Sequence, residues 1–303
     1  FIRIRNKNIM YSNQKTVALF GNMHQTNKSK YARRVVDLLR AKGCNVIVES
    51  GFYESSAQYL DAIDKSNIFE GKDFYADFAI SLGGDGTFLR TAMFVESKGI
   101  PILGINIGHL GFMSEIKPEN FEEAIDNILS GSYKIESRSV LEVAAGRHNL
   151  GVYPFALNEV AVLKQDISSM IKIRVFINDE YLTTYSSDGL VLATPTGSTG
   201  YALSSGGPVV VPESNSIVIV PVAPHSLSVR PIVICDNVEI KMNVMSRTGH
   251  FLVAVDGRNS SCSEEDCITI RRAPYDIKTI HCGNKTFFDT MREKLMWDGD
   301  LQK

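Results

Sequence analysis

Two hydrophobic periodicities divide the chain. In its first part, short apolar runs alternate with stretches whose apolar residues recur at every third or fourth position. Lys15–Phe20, Asn45–Glu49, Asp77–Leu82 and Pro101–Asn106 read as strands. Ser29–Lys42 reads as an amphipathic helix with Tyr31, Val35, Leu38 and Leu39 on one face and Gly43 as its stop. Ser56–Asp64 gives a weaker helical pattern, and Glu119–Leu129 a stronger one ended by Ser130-Gly131. After Leu82, the residues Phe88, Leu89, Ala92, Met93 and Val95 fall at helical spacing, with Thr87 as the expected N-cap. Strands alternating with helices predict an α/β domain with a parallel, doubly wound sheet, assigned to residues 10–132.

The pattern then changes. Tyr133–Ala145 alternates, and short β-rich runs follow at 155–164, 170–177, 182–186, 190–194, 216–220, 238–244, 251–255, 268–272 and 277–281, separated by Pro, Gly, Asn and Ser. Many short strands at this spacing predict a β-rich, sandwich-like second domain over 133–283. In the tail 284–303, Phe288, Met291 and Leu295 lie at helical spacing and predict a short docked helix. Ahead of the first strand, Phe1–Ile9 has no apolar core of a secretory signal, so Met10 is the expected start and the preceding residues are expected to be dispensable.

Polar residues that such a framework does not require concentrate in a few places. Ser81-Leu82-Gly83-Gly84-Asp85-Gly86-Thr87 joins a buried strand to a helix. Glycines 83, 84 and 86 let the main chain approach a ligand, and the helix N-terminus offers unpaired amides and partial positive charge to phosphate. The stretch lacks both the G-x-G-x-x-G spacing and the Walker Lys-Ser/Thr, and it carries a carboxylate where phosphates would lie. Asp85 could accept a proton from a substrate hydroxyl or help hold a divalent cation; as a bland alternative it caps the helix. A second glycine loop, Asn106-Ile107-Gly108-His109-Leu110-Gly111-Phe112, falls beyond the end of the next strand, on the rim where doubly wound sheets bind ligands. Asn158 and Glu159 form an amide and carboxylate pair able to hydrogen-bond ribose hydroxyls, or simply a solvated strand end. Asp188-Gly189 opens an apolar run that ends in Thr194-Pro195-Thr196-Gly197-Ser198-Thr199-Gly200-Tyr201, continuing to Ser204. These hydroxyls and glycines, with an aromatic ring free to stack on a base, suit a nucleoside.

Composition narrows the partners. The 303 residues carry a formal net charge of -2, which gives no basic field for nucleic acid, and no apolar run is long enough to span a bilayer. Five cysteines without paired C-x-x-C spacing fit reduced thiols and a cytoplasmic setting. The six histidines show no zinc-ligand spacing, so no metal ligand is assigned among the side chains.

Taken together and in this order, Gly83–Thr87, Gly108–Phe112, Leu157-Asn158-Glu159, Asp188-Gly189 and Thr194–Tyr201 make the chain resemble the NAD kinases. The first motif alone is shared with diacylglycerol and sphingosine kinases and with phosphofructokinases; the set is specific. The resemblance implies a Rossmann-like first domain and transfer of the terminal phosphate of ATP, or of polyphosphate, to the adenosine-side 2′-hydroxyl of NAD. It implies Asp85 as general base, contacts of Gly86 and Arg90 with NAD or phosphate, and Asn158 and Glu159 on ribose. Thr199, Gly200, Tyr201 and Ser204 would lie at the adenine end and Asp188 on the nicotinamide side. A divalent cation, expected to be Mg²⁺, would accompany ATP, and a homo-oligomer, with a tetramer favoured, is implied. Gly200 stands where the family usually has Ala, and Ser186 where many members carry a basic residue. The competing readings are a lipid or sugar kinase built on the same glycine loop, and a non-catalytic NAD(P)-binding sensor.

Overall fold

A computed structural model describes residues 14–21, 30–60, 63–108, 111–146, 149–166 and 169–297. The expectations for the segment before Met10 and for His109 and Leu110 lie outside the described residues.

The first part runs β1 (Thr16–Gly21), α1 (Lys30–Ala41), β2 (Asn45–Glu49), α2 (Ser50–Ser56), β3 (Ile68–Phe69), β4 (Phe78–Leu82), α3 (Asp85–Val95), β5 (Ile102–Ile105), α4 (Phe121–Ser130) and β6 (Lys134–Arg138). Alternation along β1 sends Val17 and Leu19 into a layer with Val35, Leu39, Phe121 and Ile125 of α1 and α4. Ala18 and Phe20 point the other way, to Phe88 and Ala92 of α3. With both faces covered, β1 and β4 are buried along almost their whole length, which is why they read as unbroken apolar runs. α1 stops at Gly43 and α4 at Gly131, whose φ values of 77° and 80° are left-handed, as the sequence reading required.

The β-rich part runs β7 (Leu141–Ala145), β8 (Phe155–Ala156), β9 (Glu159–Lys164), β10 (Ile171–Ile177), β11 (Glu180–Ser187), β12 (Gly189–Ala193), then α5 (Tyr201–Ser204). It continues as β13 (Ser216–Val222), β14 (Ile232–Cys235), β15 (Ile240–Met245), β16 (His250–Val255), β17 (Arg258–Ser263), β18 (Ile268–Arg272) and β19 (Ile277–His281), and the chain closes with α6 (Phe287–Leu295). Two six-stranded sheets, ordered β11-β10-β15-β18-β7-β8 and β14-β13-β12-β9-β16-β17, share one core. Ile173, Val175, Met242 and Ile270 of the first meet Val160, Val162, Leu192, Ile219 and Val253 of the second. The outer face of the second sheet is apolar as well, and Ala202 of α5 packs on Ala161, Val191, Val218 and Val220.

Several expectations change. The seven-stranded sheet is ordered β3-β2-β1-β4-β5-β19-β6, so 134–138 and 277–281, both assigned from sequence to the second domain, belong to the first sheet. β19 runs parallel to β5, and β6 closes the edge antiparallel to β19. The alternation of 133–145 hides this division because both halves are strands. Of the span 56–64 expected to be helical, Ala57–Tyr59 forms a 3-10 turn, and the α-helix lies earlier, at Ser50–Ser56, where the Glu49 carboxylate caps the amides of Gly51 and Phe52. Thr87 is not the N-cap of α3; Gly84 is, and Asp85 is the first helical residue. The tail helix forms, but Phe288 is 52% exposed while Thr290 is buried, so it docks by a different stripe from the one its apolar spacing suggested.

Candidate active site

The loop after β5 and the first turn of α3 meet at Asp85. Its Oδ2 accepts the Phe112 amide at 2.8 Å, and its Oδ1 accepts the amides of Met113 at 3.0 Å and Ser114 at 3.1 Å. Close approach requires a glycine: a Cβ on Gly111 would lie 1.9 Å from Asp85 Oδ1. The two glycine loops are therefore joined through one carboxylate, and Gly111 is structural to that junction. Of the glycine turn itself, Gly83 is pressed against Thr87, a Cβ there falling 2.2 Å from the Thr87 hydroxyl, whereas Gly84 and Gly86 face open space.

Arg90, one turn along α3, is already engaged. Its Nη2 lies 2.9 Å from Glu49 Oε1 and its guanidinium sits 5.2 Å from the Phe94 ring centre. Its Nη1 is buried without an acceptor.

On the β-rich side, Asn158 and Glu159 lie at the start of β9, paired through Glu159 and Ala193 with the end of β12. The Asn158 carbonyl accepts the Thr194 amide, and Thr194 Oγ1 donates to the Leu157 carbonyl at 2.6 Å. Gly197 fits only because it has no side chain, since a Cβ there would stand 2.0 Å from the Asn158 carbonyl oxygen. The same fold of the loop brings Gly200 over the pair: a Cβ on it would lie 3.0 Å from Glu159 Oε2 and 3.6 Å from Asn158 Nδ2. Asn158 Oδ1 and Glu159 Oε2 are both buried without a hydrogen-bond partner. Burial raises the Glu159 carboxyl to about 7, the Asp256 charge adds to this and the Tyr201 amide opposes it. Tyr201 is 38% exposed and Ser204 is exposed, at the mouth of this loop, and Thr199 Oγ1 donates back to the Thr196 carbonyl.

The two halves touch. Leu157 shares a core with Phe88 and Ala92 of α3 and with Ile277 of β19. Between Leu89, Met93, Leu157, Asp256 and Arg258 only about 10 Å³ of space remains. Asp188 is not part of this cluster. It precedes β12, whereas Glu159 pairs with the last residue of that strand, so five residues separate them, roughly 16 Å of strand. Its carboxylate instead pairs with Lys164 Nζ at 2.7 Å. Asp256 was not assigned from sequence. Its Oδ2 accepts the Leu157 amide at 2.8 Å, and its Oδ1 accepts those of Asn158 at 2.9 Å and Glu159 at 3.0 Å. The available signal was the resemblance, which puts a substrate-side loop at Asp256-Gly257-Arg258 but assigns its residues no roles and says nothing about where the carboxylate goes.

A roomier cavity of about 690 Å³ lies elsewhere, along β6 and the start of α6, and includes none of these residues. It is framed by Glu115, Glu136, Arg138 and His281 and has an exposed apolar rim. The unpartnered buried acceptors Asn158 Oδ1 and Glu159 Oε2 follow directly on Leu157, which packs on α3, the helix that begins with Asp85.

Comparison with known proteins agrees with this architecture. Residues 17–133 match the ATP-NAD kinase N-terminal domain and 157–282 the ATP-NAD kinase C-terminal domain. An NAD kinase of Bacteroides fragilis is 50% identical over 284 residues, covering 93% of this chain and 98% of its own. One from Flavobacterium psychrophilum is 40% identical, with 94% and 98% covered. Among solved structures, yeast NADH kinase complexed with NADH superposes with a TM-score of 0.79 at 25% identity, over 97% of this chain and 90% of that one. An Archaeoglobus fulgidus NAD kinase shares the fold, with a TM-score of 0.72 at 24% identity over 93% and 98%. With both domains matched in order and relatives this similar along nearly the full length, the chain belongs to the ATP-NAD kinase family of phosphotransferases.

Proposed function

We propose that the chain phosphorylates the adenosine-side 2′-hydroxyl of NAD with Asp85 as the proton acceptor and Asn158 and Glu159 as ribose ligands. The observation that carries the reading is the pair of buried, unpartnered acceptors, Asn158 Oδ1 and Glu159 Oε2, beside Gly200. A ribose supplies the hydroxyl donors such acceptors lack. A yeast relative of the same fold holds NADH, which supports a dinucleotide here. Thr199, Gly200, Tyr201 and Ser204 line the adenine end, and Asp188, a strand length away, belongs to the nicotinamide half. Gly83, Gly84, Gly86 and Thr87 cradle phosphate, and the free N–H of Arg90 faces the same charge.

Asp85 acts by position. A carboxylate has about four lone-pair sites, and three amides occupy three of them, leaving Oδ2 able to accept one more hydrogen bond. A hydroxyl held there is oriented for attack, and its proton has somewhere to go as the new P–O bond forms. Among the described residues no three His, Cys, Asp or Glu side chains cluster as a metal site. A divalent cation, Mg²⁺ in this proposal, fits as a partner of ATP whose remaining ligands are phosphate oxygens and water. When bound it neutralises phosphate charge. Among the described residues no helix is long and apolar enough to cross a membrane, and all five cysteines are free. Free thiols suit a reducing compartment, and the enzyme is proposed here as cytoplasmic and homo-oligomeric.

The test is conversion of NAD to NADP by purified protein with ATP and Mg²⁺, scored with a dehydrogenase that accepts only NADP, and repeated with polyphosphate. Asp85→Asn should lower kcat by about 10²–10⁴-fold and leave NAD affinity nearly unchanged. Turnover within a few-fold of the parent, with intact NAD binding in the calorimeter, would reduce Asp85 to a loop anchor.

A further inference from the structure

Asp85 and Asp256 use the same device. Each carboxylate collects consecutive backbone amides of a site loop: Phe112 to Ser114 for Asp85, Leu157 to Glu159 for Asp256. The difference lies in what remains. Asp85 is half-buried at a helix end, whereas Asp256 stands beneath Asn158 and Glu159. Its backbone is left-handed, with φ 45° followed by 78° at Gly257, a turn that folds β16 back on β17 and drives the carboxylate inward. Two residues on, Arg258 spans the domains: Nη2 donates to the Phe155 carbonyl at 3.1 Å, Nη1 lies 3.1 Å from Met93 Sδ on α3, and the guanidinium sits 5.4 Å from the Tyr153 ring centre.

We propose that Asp256 is a positioning residue for phosphoryl transfer: its carboxylate fixes the Leu157–Glu159 main chain beneath the substrate ribose and stands as a second acid beside Glu159. Burial raises the Asp256 carboxyl, but the three N–H donors and the Arg258 charge that oppose it favour its ionised form, whereas Glu159 has only the Tyr201 amide, so a proton shared by the two acids favours Glu159. Around Glu159 the facing groups are Asp256 from the β16–β17 turn, the Tyr201 amide from α5, Gly200 and Asn158; Arg258 faces Asp256. Glu159 Oε2, unpartnered, is the atom left for the ribose. Arg258 carries the same turn to the helix that begins with Asp85, so the ribose ligands and the proton acceptor are held in one frame.

This rests on the reading of Asn158 and Glu159 as NAD ligands, and the experiment separates the two. Asp256→Asn suits the turn, because Asn tolerates left-handed backbone and favours Asn-Gly hairpins, yet it removes the charge. Asp256→Ser removes it too and leaves room for water at the amides. Log(kcat/KM) for NAD is measured against pH for the parent, both variants and Glu159→Gln, with a melting curve for each. The parent should show an acid limb near the Glu159 value of about 7, and Glu159→Gln should lack it. In both Asp256 variants the limb should move to lower pH, because a negative neighbour is gone, while burial, the larger cause, still holds it above the ordinary carboxylate value. The pH-independent kcat/KM should fall on the order of tenfold, as the amides lose their charged acceptor. A lowered kcat/KM with an unmoved limb would overturn the proposal, since that is what a merely structural residue gives. If Glu159→Gln binds NAD in the calorimeter as the parent does, the ribose assignment fails instead, and the proposal fails with it.

Discussion

At the scale of single residues, the site depends on close approaches that tolerate no extra atom. Gly111 is the sharpest case, because its missing Cβ is the space that Asp85 occupies. Gly111→Ala should push the Asp85 side chain off its three amides while leaving the strands untouched. Turnover should fall at least tenfold, on the order of the 1–3 kcal/mol a displaced buried acceptor costs. Steady-state kinetics with a parallel melting curve checks it; a parent-like kcat would mean that Asp85 works without its cradle. Glycine loops, helix-end carboxylate and the Asn-Glu pair were legible in the sequence because those residue types have few other reasons to occur together. Asp256 was not, because its role comes from a side chain turned under a loop some hundred positions away in the chain. Arg90 was legible as a cation beside the glycine loop, but not the buried Glu49 of β2 that holds its Nη2 and leaves Nη1 unpartnered.

At the scale of elements, periodicity located most strands and helices and failed where polar residues or neighbours took over. β17, Arg258–Ser263, is largely polar and half-exposed, and only its ladder with β16 makes it a strand. β6 and β7 read as one alternating run although they serve different sheets, a division set by pairing partners far along the chain. β12 was legible because both its faces are buried. For α6 the sequence showed a helix, but its hold comes from a capping box: the Asp289 amide donates to Thr286 Oγ1 at 3.2 Å, and the Thr286 amide donates to Asp289 Oδ2 at 2.9 Å. Thr286→Ala should therefore destabilise by about 1 kcal/mol, with Thr286→Ser close to the parent. Urea unfolding of the two variants decides between this and a helix held only by docking, for which both would match the parent.

At the scale of the whole molecule, one ionic cluster ties distant segments of the first sheet together. His281, at the end of β19, places Nδ1 3.2 Å from Glu115 and Nε2 2.7 Å from Glu136, and Arg138 of β6 lies 2.8 Å from Glu136. Glu115 follows directly on Ser114, whose amide holds Asp85, so the cluster also steadies the loop behind the site. Burial disfavours the charged imidazole, yet hydrogen bonds and charges from Glu115 and Glu136 outweigh it and raise His281 to about 9. An imidazole raised on folding stabilises fully below its unfolded value of 6.5 and loses that contribution as pH rises through about 9. Glu136 behaves in the reverse sense. Burial would raise it, but His281 and Arg138 bring it below 4.5, so its contribution is present above that value and is lost on acidification. Between those limits the cluster is fully formed. The protein should thus lose on the order of 3 kcal/mol of stability from the cluster between pH 6.5 and pH 9.5, enough to lower the melting temperature by several degrees. His281→Gln keeps an amide that can donate to one carboxylate but cannot titrate. Its melting temperature should start lower at pH 6.5 and decline less than that of the parent toward pH 9.5, with the two curves converging. Parallel curves across that interval would show that His281 is already neutral in the folded protein and that the alkaline decline belongs to other groups.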